Sequence, residues 1–239
     1  MKLYTQIPSD FPPCSLTIGT FDGLHRGHVA ILKRLQEISS HPVVLTFANH
    51  PLELIRPPAP LALISRQHKL ELFQQLGIKT IIELPFTPEL ASLSYQELLS
   101  RFPLTHLILG EGSVFGHERK GTQEQIERYA QERKFIAEYL PKIQSDSAPI
   151  SSTRIREAIA KGDLTKAKEW LGRSHGLYLS PQSTLVHSLI LPPDGKYSVR
   201  VGSHADLLEI TSLSQGRHLS LQRPLVNPTF ITFESVLLN

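Results

Sequence analysis

The first 147 residues alternate between short apolar runs and longer amphipathic stretches. The apolar runs have the length and the continuous Val, Ile and Leu content of buried strands, and they lie at 15–21, 41–48, 79–86 and 105–111. The stretches between them repeat their apolar residues about every 3.6 positions, which predicts helices near 27–39, 65–76, 94–101 and 121–137. Buried strands separated by helices require a parallel sheet covered on both faces. We therefore predict an α/β fold.

Residues 150–173 predict a pair of helices joined by a tight turn. Three hydroxyl residues can cap the first helix, Ser151, Ser152 and Thr153. Gly162 is placed to end that helix and Asp163 to cap the next one, which Gly172 closes.

From residue 174 onward the pattern changes to short alternating runs, which are typical of β-strands. These runs lie at 176–180, 183–191, 196–201, 206–213 and 230–238. We therefore predict a first domain over 1–173 and a small, mainly β module over 174–239.

The composition is that of an ordinary globular chain of 239 residues, 40% of them hydrophobic. The 25 basic and 22 acidic residues are interspersed and give a net charge of +3, so no nucleic-acid footprint is expected. No apolar run approaches the roughly 20 residues that a membrane helix needs, and the first residues do not resemble a signal peptide. The single cysteine, Cys14, cannot form an internal disulfide. We expect a cytoplasmic protein.

Polar residues follow three of the four predicted strands, where open parallel sheets bind their ligands. The first of these stretches, "DGLHRGH" (22–28), places His25 and His28 around Gly27 where a strand turns into a helix. There the imidazole N–H groups can donate to phosphate oxygens. The alternative is that one histidine caps the helix and the other lies on the surface. A zinc site would need a third ligand, which the neighbouring sequence lacks.

The stretch "ISSTRIR" (150–156) is a second candidate for phosphate binding. Hydroxyl and N–H groups at a helix start, with Arg154 and Arg156 just inside it, can cradle an anion. The alternative is a simple helix cap followed by solvated arginines. Two such devices in one α/β domain favour a nucleotide as the ligand.

Four stretches together resemble one family: "TIGTFDGLHRGH", "VVLTFANHP", "LILGEGSVFGHERKG" and "ISSTRIREAIAKGDLTKAKEWLGR". They are similar to the FMN adenylyltransferase half of the prokaryotic bifunctional riboflavin kinase/FMN adenylyltransferase (FAD synthetase) family, over about residues 14–173. The resemblance implies a Rossmann-like nucleotidylyltransferase domain that transfers AMP from ATP to FMN with Mg²⁺. FAD and pyrophosphate are the implied products, formed by direct attack of the FMN phosphate on the α-phosphorus of ATP.

The resemblance also implies roles for individual residues. The implied catalytic residues, which contact the ATP phosphates, are His25, His28 and Arg156. The implied ATP-binding residues are Gly19, Phe21, Asp22, Gly23, Gly27, Ser152 and Thr153. The implied flavin-binding residues are His50, Pro51, Phe115, Gly116 and Arg119, the last three within an "FGxxRxG" loop that ends at Gly121.

The chain departs from the family pattern at two places in this domain. Asn49 stands where the family has a proline before "HP". Gly112 and Ser113 stand where the family has Asp or Asn followed by an aromatic residue, so a polar side chain is missing beside Glu111.

The C-terminal module departs further from the family. Parts of it, "LILPPDGKYSVRV" and "RPLVNPTFITFESVLLN", resemble the riboflavin kinase barrel, and Glu234 resembles its catalytic carboxylate. However, the "GxPTAN" element that would bind nucleotide, metal and flavin is absent. We therefore expect residues 174–239 to be a shortened module without kinase activity.

Three other functions stay open at this point. A compact module could retain both activities, which the missing "PTAN" opposes. The chain could bind a flavin or nucleotide without catalysis, as Gly112 and Ser113 suggest, although the full set of phosphate-contacting residues opposes this. A nucleotidylyltransferase with another acceptor is opposed by the "TF..HP" and "GDLTKAKEWLGR" stretches. The expected partners are ATP and FMN; the metal ligands and the oligomeric state are not predicted.

Overall fold

The structure of this chain, a computed structural model, describes residues 1–181, 189–214 and 216–237. The chain forms two compact units, and each of them is built from three separate segments. The first comprises 1–21, 27–60 and 70–143, and the second comprises 22–26, 61–69 and 144–239. The predicted domain boundary after residue 173 stays a prediction.

A parallel sheet of six strands forms the first unit, in the order β1-β4-β3-β2-β5-β6. The strands are β1 (Lys2–Tyr4), β2 (Cys14–Ile18), β3 (Pro42–Phe47), β4 (Thr80–Leu84), β5 (Leu104–Gly110) and β6 (Ile136–Leu140). The order reverses direction at β2, which has β3 on one side and β5 on the other. Crevices at the carboxyl ends of strands at such a point are the usual ligand sites of these folds.

Six helices and one helical turn connect these strands. They are α1 (Arg26–Ile38), α2 (Leu52–Ile55), α3 (Arg66–Gln75), α4 (Pro88–Ser92), α5 (Tyr95–Leu99), a 3₁₀ turn (His117–Arg119) and α6 (Gln123–Arg133). Leu16, Leu45 and Leu107 of the sheet are fully buried in one core cluster with Ile126 of α6. Arg34 of α1 forms a two-point ion pair with Glu138 of β6, with N–O distances of 2.8 and 3.1 Å.

The second unit begins with a short hairpin of β7 (Gln144–Ser145) and β8 (Ala148–Pro149), followed by α7 (Ser152–Ala160) and α8 (Leu164–Leu171). Five antiparallel strands follow, in the order β12-β11-β10-β13-β9. They are β9 (Gly176–Leu179), β10 (Gly195–Val201), β11 (His204–Leu213), β12 (Gly216–Leu221) and β13 (Thr229–Leu237). Part of the predicted strand at 183–191 lies outside the described residues.

The predicted α/β fold with a parallel sheet and a mainly β C-terminal module is confirmed. The helix predicted over 121–137 was too long, because α6 ends at Arg133 and Ile136–Leu140 forms β6. Lys134 ends the helix in the left-handed conformation (φ 60°), a role that the sequence pattern assigns to glycine or asparagine. Within the described residues, no helix is long and apolar enough to cross a membrane.

Candidate functional site

The turn after β2 has an unusual backbone. Phe21, Gly23 and Leu24 all have positive φ, at 50°, 82° and 39°. Only glycine fits at position 23, because a Cβ atom there would lie 2.7 Å from Cδ1 of Leu63. Such conformations cost free energy in residues other than glycine and are retained where surrounding contacts enforce them.

Asp22 is a buried anchor of this turn. Its Oδ1 accepts a hydrogen bond from the N–H of Leu63 at 2.9 Å, and its Oδ2 forms an ion pair with Arg156. Its backbone carbonyl accepts a hydrogen bond from the Ser152 hydroxyl at 2.8 Å. The two sequence motifs that suggested phosphate binding are therefore joined through Asp22, Ser152 and Arg156.

The start of α7 divides its polar residues between several roles. Ser151 is the helix cap and accepts from the N–H of Arg154 at 3.3 Å, whereas Thr153 is exposed. Arg154 is not a solvated arginine: it donates to the carbonyls of Ala148 and Pro149 at 2.8 Å. Its guanidinium also lies 4.3 Å from the centre of the Trp170 ring. Arg154 is therefore a structural residue.

Arg156 is largely buried and already engaged. Besides the ion pair with Asp22, its Nε donates to the carbonyl of Leu61 at 2.7 Å. A phosphate at this position would therefore be bound by the remaining N–H groups of a guanidinium whose orientation is already fixed.

His25 is buried beside Arg173, a residue that the sequence motifs had not assigned to the site. Burial and then the positive charge of Arg173 lower the pKa of His25 to about 4. His25 is consequently neutral at pH 7, and a neutral imidazole still has one N–H to donate. Arg173 itself donates to the carbonyls of Gly23 and Leu24, at 2.7 and 3.3 Å.

His28 lies in the first turn of α1 and is partly buried. Its ring packs edge-on against Phe21, with 5.3 Å between ring centres. Phe21 packs in the same manner against Phe73, so aromatic contacts hold the His28 ring from one side. Gly27, before it in the helix, and Gly19, after β2, are both partly exposed.

An apolar cavity of about 380 Å³ lies at the carboxyl edge of the parallel sheet, within the first unit. Its volume falls in the range of about 300–1,000 Å³ that is usual for small-molecule sites. Ile18 and Phe47 reach it from the ends of β2 and β3, and Phe86 reaches it from the segment after β4. Three of the five predicted flavin-binding residues line it, Phe115, Gly116 and Arg119.

The loop that carries those three residues has a tightly determined backbone. Gly116 has a φ of 80°, and a Cβ atom there would lie 2.6 Å from the backbone nitrogen of Tyr95. Glu118 and Arg119 also have positive φ, at 53° and 58°. Phe115 and Gly121 close the loop with a β-bridge. Because strain of this kind often accompanies ligand-binding segments, the loop is a candidate binding element.

The other two predicted flavin-binding residues, His50 and Pro51, do not belong to the lining of this cavity. His50 instead supports the start of α2, where its Nδ1 accepts from the N–H of Leu52 at 3.1 Å. Pro51 precedes that helix, and Ile55 at the end of α2 lines the cavity.

Asn49, a departure from the family pattern, holds a wall of the cavity in place. Its side-chain amide accepts from the N–H of Phe86 at 2.7 Å and donates to the carbonyl of Phe86 at 3.2 Å. The ring of Phe86 meets that of Phe47 edge-on at 5.3 Å. A sequence without a structure offers no signal for this contact, because Asn49 and Phe86 are far apart in the chain.

With FMN and ATP, the substrates that the family resemblance implies, the Asn49→Ala variant is expected to raise the KM for FMN about three- to tenfold and to leave the KM for ATP unchanged. It removes two hydrogen bonds of about 1 kcal/mol each that position Phe86. Steady-state kinetics with each substrate varied in turn measure this effect. Gln131→Ala, which shortens an exposed amide on α6, is the matched control. An equal rise in both KM values would contradict this role of Asn49.

At the second departure, Lys142 lies close to the space where the family has a side chain. Gly112 has a φ of 76°, and a Cβ atom there would lie 3.2 Å from Nζ of Lys142. Glu111 is exposed at the same edge of the sheet. The ammonium group of Lys142 therefore lies next to the space that a side chain at position 112 would occupy.

In the described part of the chain, no group of three or more His, Cys, Asp or Glu residues could hold a metal ion. The carboxylate of Asp22 at the turn is already engaged by Leu63 and Arg156. Mg²⁺ in phosphate-transferring sites is commonly bound largely by the substrate phosphates.

Comparisons with known proteins give the family. The FAD synthetase family model matches residues 7–154. A bifunctional riboflavin kinase/FMN adenylyltransferase from Pseudomonas fluorescens is 31% identical over 67% of this chain and 54% of its own length. An FAD synthetase from Listeria monocytogenes is 29% identical over 78% of this chain and 81% of its own length. The chain spans about half the length of several of the curated bifunctional relatives that it matches.

Among solved structures, a Streptococcus pneumoniae crystal structure described as a macrolide-efflux protein has a similar fold. Its TM-score is 0.80 at 21% identity, covering 96% of this chain and 87% of that one. At this identity the similarity concerns the fold alone. The family model matches more than half of the residues, including both the "DGLHRGH" turn and the start of α7. The chain therefore belongs to the FAD synthetase family.

Proposed function

We propose that this protein is an FMN adenylyltransferase, which converts ATP and FMN to FAD and pyrophosphate. The observation that carries the proposal is the aromatic cavity at the carboxyl edge of the sheet, lined by the Phe115–Arg119 loop. It occurs in a chain of the FAD synthetase family, and its chemistry suits a planar aromatic ring.

The cavity is proposed to receive the isoalloxazine ring of FMN. Phe47, Phe86 and Phe115 supply apolar, aromatic walls, and Arg119 supplies a guanidinium at the rim. Arg119 is exposed, so it can donate to a polar edge of the flavin or to its phosphate.

The proposed reaction forms one P–O bond and breaks another. An oxygen of the FMN phosphate attacks the α-phosphorus of ATP, and pyrophosphate leaves with the electrons of the broken bond. No proton transfer to an enzyme group is required, since the attacking phosphate is already ionised at pH 7. The protein therefore contributes orientation and charge stabilisation.

The phosphate-binding roles follow the residues implied by the family resemblance. His25 and His28 are proposed to donate hydrogen bonds to phosphate oxygens, and Arg156 to supply positive charge. Ser152 and Thr153 are proposed to present backbone N–H groups at the start of α7. Phe21, Asp22 and Gly23 shape the turn. Gly19 and Gly27 are proposed to lie against the nucleotide, as the resemblance implies, and the ring of Phe21 lies 3.3 Å from where a Cβ atom of Gly19 would be. MgATP is the proposed nucleotide substrate, with Mg²⁺ carried on its phosphates.

Riboflavin kinase activity is proposed to be absent. The sequence before "LPPDG" lacks the "GxPTAN" element, and Glu234 is paired with Arg200, whose Nε donates to its Oε1 at 2.8 Å. A carboxylate engaged by arginine is less available to accept a proton from a riboflavin hydroxyl.

The test is a turnover assay with ATP and Mg²⁺, run in parallel on FMN and on riboflavin, with the products separated by chromatography. We expect FAD from FMN and no product from riboflavin. FMN or FAD formed from riboflavin would instead show that the C-terminal module is an active kinase. Flavin binding without any product would indicate a non-catalytic binder, the alternative that the missing side chain at Gly112 favours.

A further inference from the structure

The turn that carries His25 is held by side chains from the helical hairpin and the segment after it. Three consecutive carbonyls, those of Asp22, Gly23 and Leu24, each accept a hydrogen bond from a side chain of the second unit. Ser152 holds the first of them, and Arg173 holds the other two. Because a trans peptide is planar, holding a carbonyl also fixes the direction of the next N–H group.

Like Arg154, Arg173 donates to backbone carbonyls, whereas other arginines of this unit pair with carboxylates. Arg156, Arg200 and Arg217 each pair with a carboxylate. Within the described residues, Arg173 instead donates to carbonyls, those of Gly23, Leu24 and, at 3.4 Å, Leu171. Its Nε is buried with no hydrogen-bond partner in that part of the chain. A buried N–H group without a partner costs free energy, so a role at the turn accounts for the placement of Arg173 better than stability alone does.

We propose that Arg173 is a positioning residue for adenylyl transfer, which holds the carbonyls of Gly23 and Leu24 and so fixes the turn that presents His25. This inference rests on the proposed function, in which His25 contacts a phosphate of ATP. Arg173 is the last residue of "GDLTKAKEWLGR", one of the stretches that carry the family resemblance. The sequence analysis assigned no residue of that stretch to the site.

The charge of Arg173 has a second consequence for His25. Burial is the main cause that lowers the pKa of His25, and the neighbouring guanidinium lowers it further. The other ionisable groups of this unit near the turn and Arg173 include His68, His175, the Asp22–Arg156 pair and Arg26, whose Cγ would lie 3.4 Å from a Cβ atom at Gly172. A histidine kept neutral donates in the same way throughout the pH range near 7.

The experiment compares three variants of the 239-residue chain. Arg173→Met removes the charge and the donors, Arg173→Lys keeps the charge but offers fewer directed donors, and Lys168→Met removes an exposed positive charge from α8 as the matched control. For each, we would measure kcat and KM for both substrates from pH 5.5 to 8, and the titration of the His25 ring by NMR, assigned with His25→Gln. The fluorescence of Trp170, the only tryptophan, reports whether this unit is folded.

For Arg173→Met we expect kcat to fall at least tenfold, with the KM for FMN unchanged. We also expect the pKa of His25 to rise only in part, because burial, the larger cause of its low value, remains in this variant. Arg173→Lys is expected to keep the low pKa of His25 and to recover part of kcat. A kcat within twofold of the parent in both variants would overturn the proposal.

Two further outcomes remain decisive. If Arg173→Met does not fold, the lysine variant alone decides: a lowered kcat with an unchanged His25 titration supports the positioning role, and a parental kcat overturns it. If the parent makes no FAD, the proposed function fails. The NMR titration still tests the contact between Arg173 and His25, and an unchanged His25 titration in Arg173→Met would overturn that contact.

Discussion

The His28→Ala variant is expected to lower kcat for FAD formation by about 100- to 1,000-fold while changing FMN binding by less than threefold. Removing one hydrogen-bond donor aimed at developing charge typically costs this much in acyl-transfer sites, and the same physics applies at a phosphate. The cavity proposed for FMN lies at the sheet edge, and His28 is not among its lining residues, so FMN binding should be spared. Single-turnover kinetics for the rate and fluorescence titration for FMN binding separate the two effects.

His41→Ala is the matched control, because His41 is an exposed histidine of the same unit. A His28→Ala enzyme with a rate within about twofold of the parent, which corresponds to ~0.4 kcal/mol in the barrier, would contradict the assignment of His28 to the phosphates. Loss of FMN binding in parallel with the rate would indicate a structural role through the contact between His28 and Phe21.

The sequence predicted the central strands well, because a short, continuous apolar run bounded by turn residues is typical of a buried strand. It missed β1 and β6, the two edges of the sheet. β1 has only three residues, Lys2–Tyr4, too few for a periodic pattern. β6 follows directly on α6, and the break is made by Lys134, a residue type that gives no turn signal.

For the candidate site, the sequence indicated residues but not the contacts between them. The motifs named the residues of the turn and of α7, and they identified the loop of Phe115, Gly116 and Arg119. They could not show that Asp22 engages Arg156, or that Asn49 clamps Phe86, because those contacts join segments distant in sequence. The burial of Arg173 beside His25 was equally hidden, since a chain pattern does not distinguish a buried arginine from a solvated one.

We expect the second unit, which contains the histidines around Arg173, to lose stability in mild acid. Burial lowers the pKa of His25 and of His175 to about 4 and that of His68 to about 3, and the charge of Arg173 adds to each effect. His68 packs edge-on against Phe230, with 4.4 Å between ring centres, and His175 stacks on Phe233 at 5.5 Å. Nδ1 of each of these two rings is buried without a hydrogen-bond partner in the described chain.

The direction follows from proton binding in the two states. In the unfolded chain these histidines take up protons near pH 6.5, whereas the folded unit excludes them until about pH 4. The free energy of unfolding should therefore be unaffected by these histidines above pH 7 and fall as the pH drops from about 6.5 towards 4. Three protons correspond to a limiting slope of about 4 kcal/mol per pH unit.

Urea unfolding followed by Trp170 fluorescence at several values between pH 5 and pH 8 measures this slope in the unit that contains the cluster. Most carboxyl groups titrate below this range, so histidines dominate it. His68→Gln should reduce the slope by about 1.4 kcal/mol per pH unit, since one excluded proton is removed. His218→Gln, which changes an exposed histidine on β12, should leave it unchanged. Equal slopes in the parent and in His68→Gln would mean that the folded unit admits a proton at His68, and that Arg173 does not keep its neighbours neutral.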